Sequence, residues 1–247
     1  MDFCQIHEGR GGSSFSRGLT YAVEEGGSEE VQRGPDVAVW RKKGLGSLLS
    51  WGGRRNRGGM GASGRGRAGM RRSGVREAQR LSGIPVVLFP RSKSAPEGVP
   101  TAQLLNALRD LRVDFVLLAG YLKLIPGELV QAYPRSILNI HPSLLPAFGG
   151  KGYYGLKVHK AVIASGARYS GPTVHFVDEQ FDTGRTLAQR VVPVLADDTP
   201  EQLAARVLHE EHHVYVDAVA ALCEDRIVWR EDGVPLIRTQ TNPDAYA

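Results

Sequence analysis

The stretch Asn139-Ile140-His141-Pro142 closes a short apolar run that begins at Ser136. Alternation along a strand puts Asn139 and His141 on one face, and Pro142 stops the run just after them. A side-chain amide and an imidazole aimed at one point can hydrogen-bond a carbonyl oxygen and stabilise the oxyanion formed when that carbonyl is attacked. The spacing equally suits an asparagine that satisfies a loop and a histidine packed in a core, so spacing alone leaves both open. A second loaded stretch, Asp178-Glu179-Gln180-Phe181-Asp182-Thr183-Gly184, comes directly after the alternating run Thr173 to Val177. A carboxylate beside an imidazole raises its pKa, which suits a general acid or base, although such a stretch also makes a solvated turn. Glu211 lies four residues from both Val207 and Tyr215, which places a carboxylate on the inward face of a helix. Such a carboxylate is costly unless it is paired or faces a cleft. His209-Glu210-Glu211-His212-His213 satisfies H-E-x-x-H, a zinc-protease pattern, but it supplies no third ligand and also makes an ordinary polar helix face.

These residues need elements to hold them. Ile84 to Phe89 reads as a strand, and Thr101 to Leu111 as a helix through Leu104, Leu105, Leu108 and Leu111. Val113 to Gly120 is a continuous apolar run of the kind found in buried parallel strands. Pro126 to Tyr133 reads as a short helix, Ser136 to His141 as a strand, and Leu156 to Ala164 as a helix after a glycine-rich loop. Thr173 to Val177 and Leu187 to Leu195 read as further strands. Thr199-Pro200-Glu201-Gln202 is a capping box that opens a long helix with Leu203, Val207, Val214, Tyr215, Ala218 and Leu222 on its apolar face. The alternation of strand and helix predicts an α/β layered fold with a largely parallel sheet, in which ligands sit at the carboxyl ends of strands.

Composition narrows the function classes. Of 247 residues, 42% are hydrophobic and 23% charged, which excludes wholesale disorder. No apolar run is long enough to cross a membrane as a helix. Cys4 and Cys223 make no C-x-x-C, so neither a disulfide framework nor a cysteine zinc site is expected. The net charge of +5 is unevenly held: residues 1–80 carry 15 Lys/Arg against 8 Asp/Glu, whereas residues 81–247 carry 16 against 18. Between Arg41 and Arg76 there are eleven basic residues, eleven glycines and no acid. The expected organisation is a mostly disordered Gly/Arg-rich segment over 1–77 and a folded domain over 78–247, which the resemblance described next makes a catalytic domain.

Asn139-Ile-His-Pro-Ser-Leu-Leu-Pro146, Val174-His-Phe-Val177, Asp182-Thr-Gly184 and Glu211-His212 together resemble the phosphoribosylglycinamide formyltransferase family (GAR transformylases) of the formyltransferase superfamily. Val113 to Gly155 and the ending Trp229 to Ile237 are similar to the plant type, and the likeness runs from about Gln79 to Tyr246. The resemblance implies a three-layer, Rossmann-like fold and transfer of a formyl group from 10-formyltetrahydrofolate to the glycinamide amine in purine synthesis. It implies that Asn139 and His141 polarise the formyl carbonyl, with His141 the proton donor, and that Asp182 raises the His141 pKa and helps move the amine proton through water. Leu122, Lys123, Leu124 and Ile125, with Asn139 and Asp178, Glu179, Gln180, Phe181 and Asp182, would bind the folate, while Glu210 and Glu211 would hold the glycinamide end. The partners implied are small molecules, with no metal, no membrane and no nucleic acid. The expected chain is a monomer or weak homodimer, placed in the chloroplast by likeness to plant members. The H-E-x-x-H match then becomes incidental to the reaction.

The first third departs from this pattern. Family members open with a strand, a glycine-rich phosphate loop and a helix, and Met1 to Gly9 resembles only the stretch just after that loop. The first strand and phosphate loop are therefore expected to be missing, the sheet incomplete at its N-terminal half, and turnover by the chain as given little or none. Gly9 to Ser14 is not expected to replace the loop, because no strand precedes it. Residues 10–77 read first as mistranslated sequence and second as an RGG-like RNA-binding tail acting through 41–76. Other readings are a formyltetrahydrofolate deformylase-like hydrolase, a methionyl-tRNA formyltransferase and a zinc hydrolase. The first two lack the extra domain each would be expected to carry.

Overall fold

A computed structural model of the protein describes residues 2–4, 21–23, 36–40, 87, 89–91, 96, 98–240, 242, 245 and 246. The boundary expected at 77/78, the phosphate-loop candidate at 9–14 and the basic stretch 41–76 lie outside them. The chain divides into two compact units, Met1–Asp114 and Phe115–Ala247.

In the first unit, strands β1 (Asp2–Cys4) and β2 (Tyr21–Val23) pair antiparallel, and β3 (Asp36–Trp40) comes next. Asp2–Cys4, in the stretch that resembles the start of a family helix, forms a strand. Tyr21–Val23 and Asp36–Trp40 fall within the segment expected to be mostly disordered, and Val37-Ala38-Val39-Trp40 has the β-branched and aromatic content that favours extended backbone. Val87 and Phe89, within the strand expected at Ile84 to Phe89, belong to no strand. Helix α1 (Thr101–Asp110) keeps its expected spacing, burying Leu104 and Leu108.

The second unit carries the chemistry. Strands β4 (Phe115–Ala119) and β5 (Ile137–His141) run parallel, with Leu118 opposite Asn139. Between them, Pro126 opens the short helix α2 (Gly127–Ala132). After β5 come α3 (Leu156–Ser165), closed by Gly166 in the left-handed region, and the short strand β6 (Tyr169–Ser170). Strand β7 (Thr173–Phe176) returns antiparallel to β5, and β8 (Thr186–Gln189) runs antiparallel to β7. The α/β class is as expected, and the sheet is mixed: among the described pairings of this unit β4 and β5 are parallel, and the turn at 178–185 reverses the chain between β7 and β8. The run expected at Leu187 to Leu195 is two strands, because β9 (Val192–Pro193) leaves this sheet to pair with β6. Pro193 has no N–H with which to extend a ladder.

The long helix α4 (Pro200–Cys223) starts at the expected capping box: Gln202 N–H donates to Thr199 Oγ1 at 3.2 Å, and Thr199 N–H to Gln202 Oε1 at 2.7 Å. Its Leu203 and Val207 pack with Val158 and Val162 of α3 and with Val192. Farther along, the Tyr215 hydroxyl reaches the carbonyl oxygens of Leu118 at 3.0 Å and Leu138 at 3.3 Å, tying α4 to β4 and β5. A hairpin of β10 (Ile227–Trp229) and β11 (Pro235–Ile237) completes the unit. Among the described residues no helix is long and apolar enough to cross a membrane.

Candidate active site

The antiparallel register of β5 and β7 sets Asn139 directly across from His175, and His141 across from Thr173. An amide and two imidazoles therefore gather at one end of a strand pair, and the loop after β7 brings Asp182 onto them. Asp182 Oδ2 lies 3.5 Å from His141 Nδ1, and its Oδ1 lies 3.6 Å from His175 Nε2. Gly150 N–H donates to Asp182 Oδ2 at 2.9 Å, so the carboxylate also pins the glycine-rich loop. Asp182 adopts φ 57°, a left-handed conformation that aspartate tolerates better than most residues. Two residues later, a Cβ on Gly184 would fall on the Phe176 carbonyl oxygen, so only glycine lets the turn close this tightly on β7.

The hydrogen bonds assign tautomers for neutral rings. His175 Nδ1–H donates to the Phe176 carbonyl at 2.9 Å, leaving Nε2 to accept from the Asn139 amide at 3.0 Å. His141 Nε2–H donates to the Phe148 carbonyl at 2.9 Å, leaving Nδ1 turned to Asp182. At 3.6 Å the His175–Asp182 approach is longer than an ordinary hydrogen bond.

His141 and His175 are 4% and 2% exposed. Burial pulls the His141 pKa below the ordinary imidazole value; the Asp182 carboxylate and the Phe148 carbonyl oppose it, and His175 adds to the lowering. Burial would raise the Asp182 carboxyl, but His175, His141 and the Gly150 N–H outweigh it and hold the group below its usual range. The outcome is an ionised carboxylate facing a neutral imidazole, a pair able to take up one proton.

The segment after His141 is clamped. Thr173 Oγ1 donates to the Ser143 carbonyl, accepts from Leu145 N–H at 3.0 Å and accepts from Gln189 Nε2 at 2.8 Å. Gln189 Nε2 also reaches the Leu145 carbonyl at 3.1 Å. Leu145 and Pro146 then form one wall of a cavity of about 500 Å³, with Asp182 and Phe181 on another and Val234 and Pro235 of the hairpin on a third.

Of the residues singled out by sequence, Asn139, His141 and Asp182 come together. Asp178 is committed to its own turn, accepting from the Gln180 N–H and the Thr183 hydroxyl. Glu179 accepts from Gln131 Nε2 at 3.1 Å. That bond brings the 178–182 loop against α2, just after Leu122 to Ile125. Leu122, Lys123 and Leu124 are exposed, whereas Ile125 is buried at 4% exposure. On α4, Glu211 is half-buried, while Glu210 is paired with Arg190 at 3.3 Å. Sequence reasoning assigned no role to His175 or to the Thr173–Gln189 clamp. Their signal was present: alternation in Thr173-Val174-His175 puts the threonine and the histidine on one face.

The chloroplastic phosphoribosylglycinamide formyltransferase of Vigna unguiculata is 71% identical over 167 residues, covering 68% of this chain and 54% of the relative. That of Arabidopsis thaliana is 66% identical over 174 residues, covering 70% and 60%. The chain thus spans a little over half the length of these plant relatives. The crystal structure of phosphoribosylglycinamide formyltransferase from Anaplasma phagocytophilum superposes with a TM-score of 0.58 at 34% identity, covering 68% of this chain and 75% of that one. Residues 70–219, more than half of the chain, match the formyl transferase family, and the chain belongs to that family.

Proposed function

We propose that this chain moves a formyl group from 10-formyltetrahydrofolate to the primary amine of phosphoribosylglycinamide, a step of purine synthesis. One observation carries the reading: Asn139, His141 and Asp182 meet at the carboxyl end of β5, with His175 behind them. The names of the plant relatives supply the acceptor, and the likeness of Val113 to Gly155 to plant members supplies the folate donor.

In the transfer, the amine nitrogen attacks the formyl carbon and a C–N bond forms while the carbonyl becomes an oxyanion. Asn139 spends one amide N–H on His175, which leaves its second N–H for that oxygen. His141 stands beside it on the same strand face. Collapse of the oxyanion then breaks the bond between the formyl carbon and N10 of the folate. The amine gives up one proton and N10 gains one, so the site must carry a single proton across. Asp182, held ionised, receives it through water. His141 Nε2 is held by the Phe148 carbonyl while Nδ1 faces Asp182, so a proton received by the carboxylate passes to Nδ1 and from there to the departing nitrogen.

Leu122, Lys123, Leu124 and Ile125 and the Asp178–Asp182 loop are assigned to the folate, and Glu211 with Glu210 to the glycinamide end. No step calls for a metal. A plastid location is inferred from the relatives' names, the partners are the two small molecules, and the active form is a monomer or weak dimer. The reading is tested by steady-state kinetics of Asn139→Ala. Removing one oxyanion donor should lower kcat by roughly 10²–10³-fold with little change in KM. An unchanged kcat with a raised KM would mean that Asn139 only binds.

A further inference from the structure

The exposed face of α4 carries two histidines that the transfer does not use, beside Glu210. Among the described residues, His209, Glu210 and His213 have ligand atoms that all lie within 4.8 Å of one another. The histidines are four residues apart on a regular helix, so their rings rise from the same face one turn apart. Their centroids are 4.6 Å apart at 61°.

Two features make this more than a polar surface. His213 Nδ1 lies 2.7 Å from the His209 carbonyl oxygen, which accepts only if Nδ1 carries the proton. The lone pair of His213 is thereby assigned to Nε2 and its ring orientation is set. Metal-binding histidines are held in the same way, one ring nitrogen donating to a carbonyl or carboxylate while the other faces the ion. The Glu210 carboxylate is divided in a complementary way: Oε2 is held by Arg190 at 3.3 Å, while Oε1 is turned toward His209 Nε2 at 4.0 Å. His209 is 72% exposed and free to turn. Ligands in a tetrahedral site with bonds of about 2.0–2.1 Å stand roughly 3.3 Å apart, so modest side-chain rotations close a set whose atoms already lie within 4.8 Å.

We infer that His209, Glu210 and His213 form a surface site for a divalent transition metal such as zinc or nickel, bound by two imidazoles and one carboxylate with water completing the shell. Imidazole donors favour zinc, copper and nickel over magnesium and calcium. The site shares Glu210 with the transfer reading, and neither of its histidines is a reacting group there. Glu210, assigned above to the glycinamide end, would be engaged by the ion when metal is present.

Calorimetric titration of the full chain with zinc chloride and with nickel chloride tests the inference. One ion per chain is expected, with affinity weakened at least about tenfold in His213→Ala and in His209→Ala, and unchanged in His212→Ala. Magnesium should not compete. All three histidines are exposed, so circular dichroism should show all three variants folded. Cobalt absorption offers a second readout: a visible band of a nitrogen- and oxygen-ligated ion that is lost with His213→Ala. The inference is overturned if zinc binds the double variant His209→Ala/His213→Ala as well as the parent, or if His212→Ala is the change that abolishes binding.

Discussion

Replacing Thr173 by valine removes one hydroxyl from a fully buried site while keeping its volume. That oxygen takes part in three hydrogen bonds: it donates to the Ser143 carbonyl and accepts from Leu145 N–H and Gln189 Nε2. Gln189 keeps the Leu145 carbonyl as a partner, so the variant strands two backbone groups in a region without solvent. Each orphaned group costs about 1–3 kcal/mol, giving about 2–6 kcal/mol for the pair. For a protein of this size such a loss lowers Tm by roughly 4–24 °C. The effect should reach the chemistry as well, because Ser143 to Leu145 begins two residues after His141 and continues into the cavity wall. Urea and thermal unfolding of the parent, Thr173→Val and Thr173→Ser give the comparison. The serine retains the hydroxyl and should recover most of the loss. A valine variant as stable as the parent would refute the reasoning, and so would a serine variant as unstable as valine.

The same geometry sets other outcomes. His159 is buried on α3, and burial, with a smaller push from His141, holds its pKa at about 4. Its unfolded value is about 6.5, so its stabilisation is full above pH 6.5 and is lost as pH falls toward 4. The amount at stake is about 3 kcal/mol, and urea unfolding against pH should be correspondingly flatter over that window in His159→Asn than in the parent. Asp182→Asn removes the charge that supports protonated His141, so the His141 pKa should fall further, as read by NMR titration of the ring. Transfer by that variant should slow by roughly 10²–10⁴-fold. Gly184→Ala forces a methyl onto the Phe176 carbonyl and should lower stability by about 1–3 kcal/mol in thermal unfolding, or prevent folding.

Local chemistry was readable before the structure, and non-local pairing was not. Asn139 and His141 were legible because period-2 spacing and a terminating proline are contained within four residues. The start of α4 was legible for the same reason, since a capping box closes on itself within one turn. His175 was visible only as a member of a strand. Its partnership with Asn139 depends on β7 returning antiparallel to β5 across an intervening helix and loop, and no local pattern encodes that register. Asp182 was expected near one imidazole, yet it lies between two because of the same pairing. The division of the run Leu187 to Leu195 into β8 and β9 has the same origin. The apolar residues continue, but the strand partners change from β7 to β6.

The most direct test of the proposed transfer traces the formyl group itself. In a single turnover with enzyme in excess, 10-formyltetrahydrofolate labelled in the formyl carbon is mixed with phosphoribosylglycinamide and the label is located. Enzyme excess makes slow transfer visible even where multiple turnover is weak. The label is predicted on the glycinamide amine in the parent, with transfer slowed by at least about 10²-fold in Asn139→Ala and His141→Ala. Label released as formate, or equal transfer by the parent and the His141→Ala variant, would contradict the assignment.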